Sequence, residues 1–177
     1  MAESLQAITN RERLVFKGRP KAMNAAIAVL LAGLLAFSMG MDRLFFMKAM
    51  AWVFIVWGGL LLYGHIIDYF TTYEVADDAL IVRSPLRFWN IKQSMDWEHI
   101  KRLYVVVDRR EAGAEDATLQ VIYNPEGTNR MVREDMPYHG ELAREIASRA
   151  GLSADRDNPM KSFDAIPQDA KGVYSWQ

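Results

Sequence analysis

Two apolar runs dominate the first third of the chain, AMNAAIAVLLAGLLAFSMGM from Ala22 to Met41 and AMAWVFIVWGGLLLYGHII from Ala49 to Ile67. Neither contains Asp, Glu, Lys or Arg. A helix rises about 1.5 Å per residue, so a run of about 20 residues covers the roughly 30 Å hydrocarbon core of a bilayer. The joining segment DRLFFMK suits a turn and is too short for a domain. The pattern therefore predicts a transmembrane helical hairpin over residues 22–68. After Asp68 the period changes from helical to alternating. YFTTYEV and ALIVRS, separated by the acidic turn Ala76-Asp77-Asp78, predict a β-hairpin. RFWNIKQSM predicts a third strand and DWEHIK a polar turn. RLYVVVD and ATLQVIY predict two more strands around the solvated turn EAGAED, and RMVRED a sixth after the Pro- and Gly-bearing NPEGTN. From Pro137 the helical period returns. Leu142, Ile146 and Ala150, with Ala143 beside them, form one apolar face, and Gly151 is placed to end it. Strands followed by one terminal helix predict an α+β domain over 69–152, a sheet or capped barrel. Residues 153–177, with two prolines and little periodicity, read as an extended tail.

Charge gives the hairpin an orientation. Arg11, Arg13, Lys17, Arg19 and Lys21 crowd the basic lead-in of residues 1–21, whereas the interhelix turn offers Arg43 and Lys48. Basic residues collect on the cytoplasmic side, so both termini are expected in the cytoplasm and the turn on the opposite face. Phe45, Phe46 and Trp52 then fall near the outer interface, and Tyr63, Tyr69 and Phe70 near the inner one. Ala36-Phe37-Ser38 also fits a signal-peptidase pattern, but the first run is long and a second span follows at once, so retention is expected. Residues 69–152 carry eleven basic against fourteen acidic groups, a poor balance for nucleic acid, whose phosphates need a concentrated basic surface. The absence of cysteine excludes disulfides, thiolate chemistry and Cys-ligated metals.

No phosphate-binding loop, dinucleotide-binding glycine pattern, nucleophile elbow or zinc-protease motif occurs, and no cofactor or enzymatic activity is expected. His99 and His139 read as solvated surface residues. His65 lies within a turn of the inner interface, where an imidazole reaches water. Three features suggest binding. Ala28, Ala32, Ala36 and Gly40 recur every fourth residue, a small-residue face that either closes the hairpin or meets another membrane helix, including a second copy in a homo-oligomer. Arg83, Arg87 and Lys92, interleaved with Phe88 and Trp89, suit anionic lipid at the inner leaflet, unless they are simply the solvated side of a strand. Phe163, Tyr174 and Trp176 are large apolar groups in the tail, which is too short and polar to bury them itself, and are expected to anchor in a partner protein.

Two stretches resemble a known family. ERLVFKGRP, with Glu12, Leu14, Val15, Phe16, Gly18 and Pro20, resembles the lead-in of bacterial membrane proteins that carry a pleckstrin-homology-like (PH-like) domain. YEVADDALIVRSPLRFWNIKQSMDWEHIKRLYV, ending in the Trp97 and Ile100 element, is similar to that family's opening strands. The resemblance covers about residues 11–152 and is distantly shared with photosynthetic complex assembly proteins. It implies a bent antiparallel barrel capped by a C-terminal helix, placement in the bacterial inner membrane, and a binding role beside other integral membrane proteins and lipid. Six strands are read here where that fold has seven. Asp77 and Asp78 stand where phosphoinositide-binding relatives carry basic residues, and they would repel a phosphorylated headgroup.

Overall fold

The computed structural model describes residues 14–19, 23–39, 45–111, 114–125, 128, 130–158, 160, 162–163 and 172–177. The chain divides into two compact units. One holds Gly18–Thr71 and Ser84–Ile91; the other holds the segment ending at Lys17 with Thr72–Arg83 and Lys92–Gln177.

The first unit is built on α1 (Met23–Ser38) and α2 (Phe45–Phe70). At about 1.5 Å per residue, the 26 residues of α2 reach about 39 Å. That helix is long and apolar enough to cross a membrane. The described part of α1 is 16 residues, about 24 Å, with flanks at 20–22 and 40–44 outside the described residues. The two helices meet through Ala26 and Gly33 on α1 and Ala51 and Gly58 on α2, all buried. A methyl group on Gly58 would lie 2.6 Å from the Leu30 nitrogen, and one on Gly33 would lie 2.9 Å from the Ile55 nitrogen. Here the backbones approach closer than any side chain permits, the packing that holds helices together where no hydrophobic force drives them. Phe37 and Trp52 extend the seam edge to face, at 5.4 Å between centroids. The stripe expected to close the hairpin does not do so. Ala28 and Ala32 are exposed, Ala36 is half-buried, and Gly40 lies outside the described residues. The physical reason is that Gly33 allows an approach that a Cβ on alanine would block.

The second unit is α+β, with two antiparallel four-stranded sheets. β1 (Leu14–Lys17), β2 (Thr72–Val75), β3 (Ala79–Arg83) and β4 (Lys92–Asp96) lie in the order β1-β2-β3-β4. A single 3-10 turn, Trp97–His99, leads to the second sheet. That sheet contains β5 (Ile100–Glu111), β6 (Ala114–Tyr123), β7 (Val132–Pro137) and β8 (Gly172–Trp176), ordered β7-β6-β5-β8. Alternation places Leu103, Val105 and Val107 inward, opposite Val121, Leu119 and Ala117 on β6, and all six are buried. β5 and β6 continue through the stretch expected to be a solvated loop, pairing Arg109 with Asp116 and Arg110 with Glu115 by register. No ladder closes the two sheets into a barrel among the described residues. α3 (Gly140–Arg149) lays Leu142, Ala143 and Ile146 into the shared core, as its period predicts. It ends at Gly151, whose φ of 67° is the left-handed conformation, while the Leu152 amide bonds the Ala147 carbonyl at 2.8 Å. Arg149 pins the helix end: its guanidinium donates to the Ala76 carbonyl at 3.0 Å, pairs with Glu145 at 3.1 Å and lies 5.8 Å from the Trp97 ring centre.

Two of the eight strands among the described residues come from stretches expected to lie outside the domain. LVFK of the lead-in is β1, with Leu14 and Phe16 against the core and Val15 exposed. GVYSW of the tail is β8, pairing Trp176 with Leu103 and Tyr174 with Val105. Trp176 is 3% exposed, Tyr174 5% and Phe163 9%, and the Phe163 and Trp176 rings stack at 4.4 Å. The expectation that these aromatics anchor in a partner is therefore corrected, because β5 offers them a free edge and the chain's own core a pocket. Buried Asn158 secures the crossing, donating to the Ser175 carbonyl at 2.8 Å and accepting from the Met160 amide at 3.0 Å. Tyr138 donates its hydroxyl to the Phe163 carbonyl at 2.7 Å. Gly140 leaves room for that carbonyl, which a Cβ would meet at 2.3 Å.

Truncating Trp176 to alanine in the full chain should cost about 3–5 kcal/mol of stability, the range for emptying a buried aromatic site. Denaturant unfolding in detergent, followed by near-ultraviolet circular dichroism, measures it. An unchanged midpoint would mean that β8 is no part of the folding unit.

Candidate functional site

The third predicted strand, RFWNIKQSM, is a strand only from Lys92 onward. The stretch before it, Ser84–Ile91, belongs instead with the helical hairpin. Pro85 has no amide hydrogen for a ladder, and the segment folds as two successive turns. The Arg87 amide bonds the Ser84 carbonyl at 3.0 Å, the Asn90 amide bonds the Arg87 carbonyl at 2.9 Å, and the Ser84 amide closes the loop on the Ile91 carbonyl at 2.9 Å.

This loop is tied to α2 at two levels. Tyr63 donates its hydroxyl to the Leu86 carbonyl at 3.0 Å. Just past the helix end, the hydroxyls of Thr71 and Ser84, each 1% exposed, share a hydrogen bond of 2.5 Å. Thr71 also donates to the Ile67 carbonyl at 2.8 Å, so Ser84 is the donor in that pair. The lead-in reaches the same point, where the Gly18 amide bonds the Thr71 carbonyl at 2.8 Å. Gly18 has no alternative, since a Cβ there would sit 1.8 Å from the Asp68 carbonyl oxygen. Thus the glycine of the lead-in motif has a steric cause, as do Gly33 and Gly58 in the spans.

The residues expected to meet lipid are divided between the units. Phe88 and Trp89 lie in the loop, edge to face at 4.6 Å, and are 78% and 63% exposed. Arg87, in the same loop, is half-buried, and its charge is felt by the Asp68 carboxylate on α2. Arg83 and Lys92 are cross-strand partners in the sheet unit. There Arg83 pairs with the buried Glu74 at 3.1 Å, so its charge is largely met within the chain. Lys92 is exposed, so of the three cations it is the one most open to an anionic headgroup, while the exposed aromatics of the loop favour apolar contact.

The histidines take structural places. His139 is half-buried, with its Nε2 at 3.1 Å from the Lys17 carbonyl oxygen and its ring 5.6 Å from that of Phe16. His99 is half-buried, with its Nδ1 at 3.5 Å from the Asp96 carboxylate. Neither is the solvated residue expected. His65 is half-buried on α2. Among the described residues, no group of three His, Asp or Glu is placed to hold a metal ion. An open groove of about 550 Å³ runs along the tail between Asp155, Asp157, Asn158, Val173, Ser175 and Gln177. The hydroxyl of Ser175 engages Asp155 there, so the polar lining is partly paired with itself.

Sequence reasoning did not single out Gly18, Thr71, Ser84 or the hydroxyl of Tyr63, although the glycine stood in a quoted motif and Pro85 argued against a strand. No protein-family model, curated protein or solved structure matches this chain.

Replacing Thr71 with valine keeps the shape but leaves the buried Ser84 hydroxyl without its acceptor. The expected cost is about 1–3 kcal/mol. Hydrogen exchange should show it as faster exchange at the Ser84 and Arg87 amides, with the sheet core unchanged; equal protection in both proteins would mean that this bond does not hold the loop.

Proposed function

We propose that the chain is a non-enzymatic membrane protein acting as an accessory or assembly subunit of a membrane complex. In this reading both helices span the bilayer, the termini lie in the cytoplasm, and the two sheets with α3 form a PH-like binding domain. The observation that carries it is the outer surface of the hairpin. Leu31, Leu34, Leu35, Val53, Val56, Trp57 and Leu60 are all exposed, an apolar exterior that water does not accommodate. Within that exterior Ala28 and Ala32 are also exposed and free of the hairpin seam. Lipid chains cover leucine and tryptophan well; a flat alanine face is where another helix approaches closely. The two-sheet core plugged by Leu142, Ala143 and Ile146 of α3 supports the PH-like assignment. The acidic turn at Asp77 and Asp78 speaks against phosphoinositide recognition there.

A second reading, a PH-like protein that contacts lipid at the inner leaflet, is favoured by the exposure of Phe88 and Trp89. The two readings are separated by copurification in mild detergent. Ala28→Leu with Ala32→Leu should leave membrane insertion intact and reduce recovery of partners, or of a tagged second copy, by tenfold or more, equal to about 1.4 kcal/mol. Equal recovery with the double variant would remove that helix face from the interaction. Reporter fusions after Gln177 and within the Asp42–Lys48 turn should report opposite sides of the membrane; a non-cytoplasmic C-terminus would overturn the orientation.

A further inference from the structure

We infer that the Ser84–Ile91 loop is a third membrane contact, inserting Phe88 and Trp89 at the boundary between headgroups and acyl chains and binding the bilayer without regard to its charge. The inference rests on the reading that α2 crosses the membrane.

The depth follows from α2 itself. Its apolar run ends at Ile67, and Asp68 begins the polar end. Tyr63, whose hydroxyl holds the Leu86 carbonyl, lies four residues earlier, about 6 Å on the hydrocarbon side. The other tether, Ser84 to Thr71, lies just past the helix end. Between Thr71 and Tyr63 the helix path is about 12 Å, which exceeds the headgroup layer of roughly 5–8 Å on one side of a bilayer. A loop held at both levels therefore passes through the headgroups and turns near the acyl chains. Tyr69 and Phe70, exposed on the last turn of α2, lie in the same layer.

Hydrogen bonds within the unit lower the cost of that depth, because lipid offers none. Here the carbonyls of Ser84, Leu86, Arg87 and Ile91 each accept a bond from within the unit. The loop's side chains match the surroundings as well: Leu86, Phe88, Trp89 and Ile91 are all exposed. Aromatic rings with an apolar body and a polar edge are the residues that settle at this level. Charge has a small part. Arg87 is half-buried and its charge is felt by Asp68, and Arg83, still half-exposed, pairs with Glu74. Within Ser84–Ile91 the one cation is the half-buried Arg87, while Lys92 stands exposed just beyond the loop, so charge independence is what the salt and lipid arms of the test decide.

The cysteine-free sequence makes the test direct. Full-length protein carrying Phe88→Cys, or separately Trp89→Cys, is spin-labelled and reconstituted in phosphatidylcholine vesicles. Accessibility to oxygen, which partitions into lipid, is compared with that to a water-soluble nickel chelate. Val56→Cys on the exposed middle of α2 and Ser148→Cys on α3 give the lipid and aqueous references. The expected result is loss of nickel accessibility with gain of oxygen accessibility at 88 and 89. It should be unchanged when part of the lipid is replaced by phosphatidylglycerol, or at about 1 M salt, where the screening length falls to about 3 Å. Nickel accessibility at 88 and 89 equal to that at 148, with 56 in lipid, overturns the insertion and leaves the span standing. An aqueous signal at 56 overturns both. Lipid exposure that appears only with phosphatidylglycerol or disappears in salt overturns charge independence. Protection from both reagents means that protein, not lipid, covers the loop, and likewise overturns the proposal.

Discussion

Thr71 is where the two halves of this molecule are tied off. The chain passes between its compact units four times, at Lys17/Gly18, Thr71/Thr72, Arg83/Ser84 and Ile91/Lys92. On the helical side every passage ends in one cluster of hydrogen bonds. Gly18 donates to the Thr71 carbonyl, Thr71 shares its hydroxyl with Ser84, and Ser84 donates its amide to Ile91. Thr71 and Ser84 are almost wholly buried, so these bonds do not compete with water, and losing one partner leaves a polar group stranded. The steric side of the same constraint is Gly18, since any larger residue would collide with the carbonyl of Asp68. Within the helical unit, Gly18, the end of α2 and the Ser84–Ile91 loop, far apart in sequence, thus share a single cluster of bonds.

The two units are held together internally by different physics. In the sheet unit, burial of apolar side chains from both sheets, α3 and the tail makes one core, and the polar groups that enter it are paired: Tyr138 with the Phe163 carbonyl, Asn158 with the β8 backbone, Arg149 with the Ala76 carbonyl. Hydrophobic burial supplies the force there and hydrogen bonds fix the arrangement. In the hairpin many large apolar side chains are exposed, and the residues buried where the two helices approach most closely are small, Ala26, Gly33, Ala51 and Gly58. Close backbone packing replaces burial as the cohesive term, which is the arrangement expected of helices whose solvent is itself apolar.

Much of this was legible in the sequence where a period ran long enough. The second apolar run gives α2, and the alternating runs give the cores of β2, β3, β5, β6 and β7, although Tyr69 and Phe70 belong to α2 and β5 and β6 run on through the expected turn. Leu142, Ala143 and Ile146 give the buried face of α3, and Gly151 its end. Short elements escaped. LVFK and GVYSW are strands of four and five residues whose partners are distant, so their alternation has too few positions to stand out. The tail aromatics followed the same logic in reverse: their size implied a pocket, but no single-sequence pattern says that β5 has an edge open to receive them. The choice among small residues was equally hidden. Two faces of α1 carry small side chains, and only the three-dimensional approach at Gly33 and Gly58 distinguishes the packed one from the free one.

The electrostatic pattern sets limits on what this molecule can recognise. Among the described residues several arginines are matched within the chain: Arg83 with Glu74, Arg133 with Asp135 at 2.6 Å, Arg149 with Glu145 and Asp77. The turn that could have offered cations to a phosphorylated ligand is acidic, and its carbonyls at Ala76 and Asp77 are taken by the Trp97 ring nitrogen, at 3.2 Å each. Exposed ion pairs of this kind contribute little to stability, yet they cancel the local field that would steer a charged partner. The exposed apolar surface comprises the outward leucines and tryptophans of the hairpin, the bare alanine face, and the Phe88–Trp89 tip. Selectivity built on such surfaces depends on shape and depth more than on charge. On the proposed reading the geometry that matters is the register between the loop and α2, and the Thr71–Ser84 bond is placed to fix it.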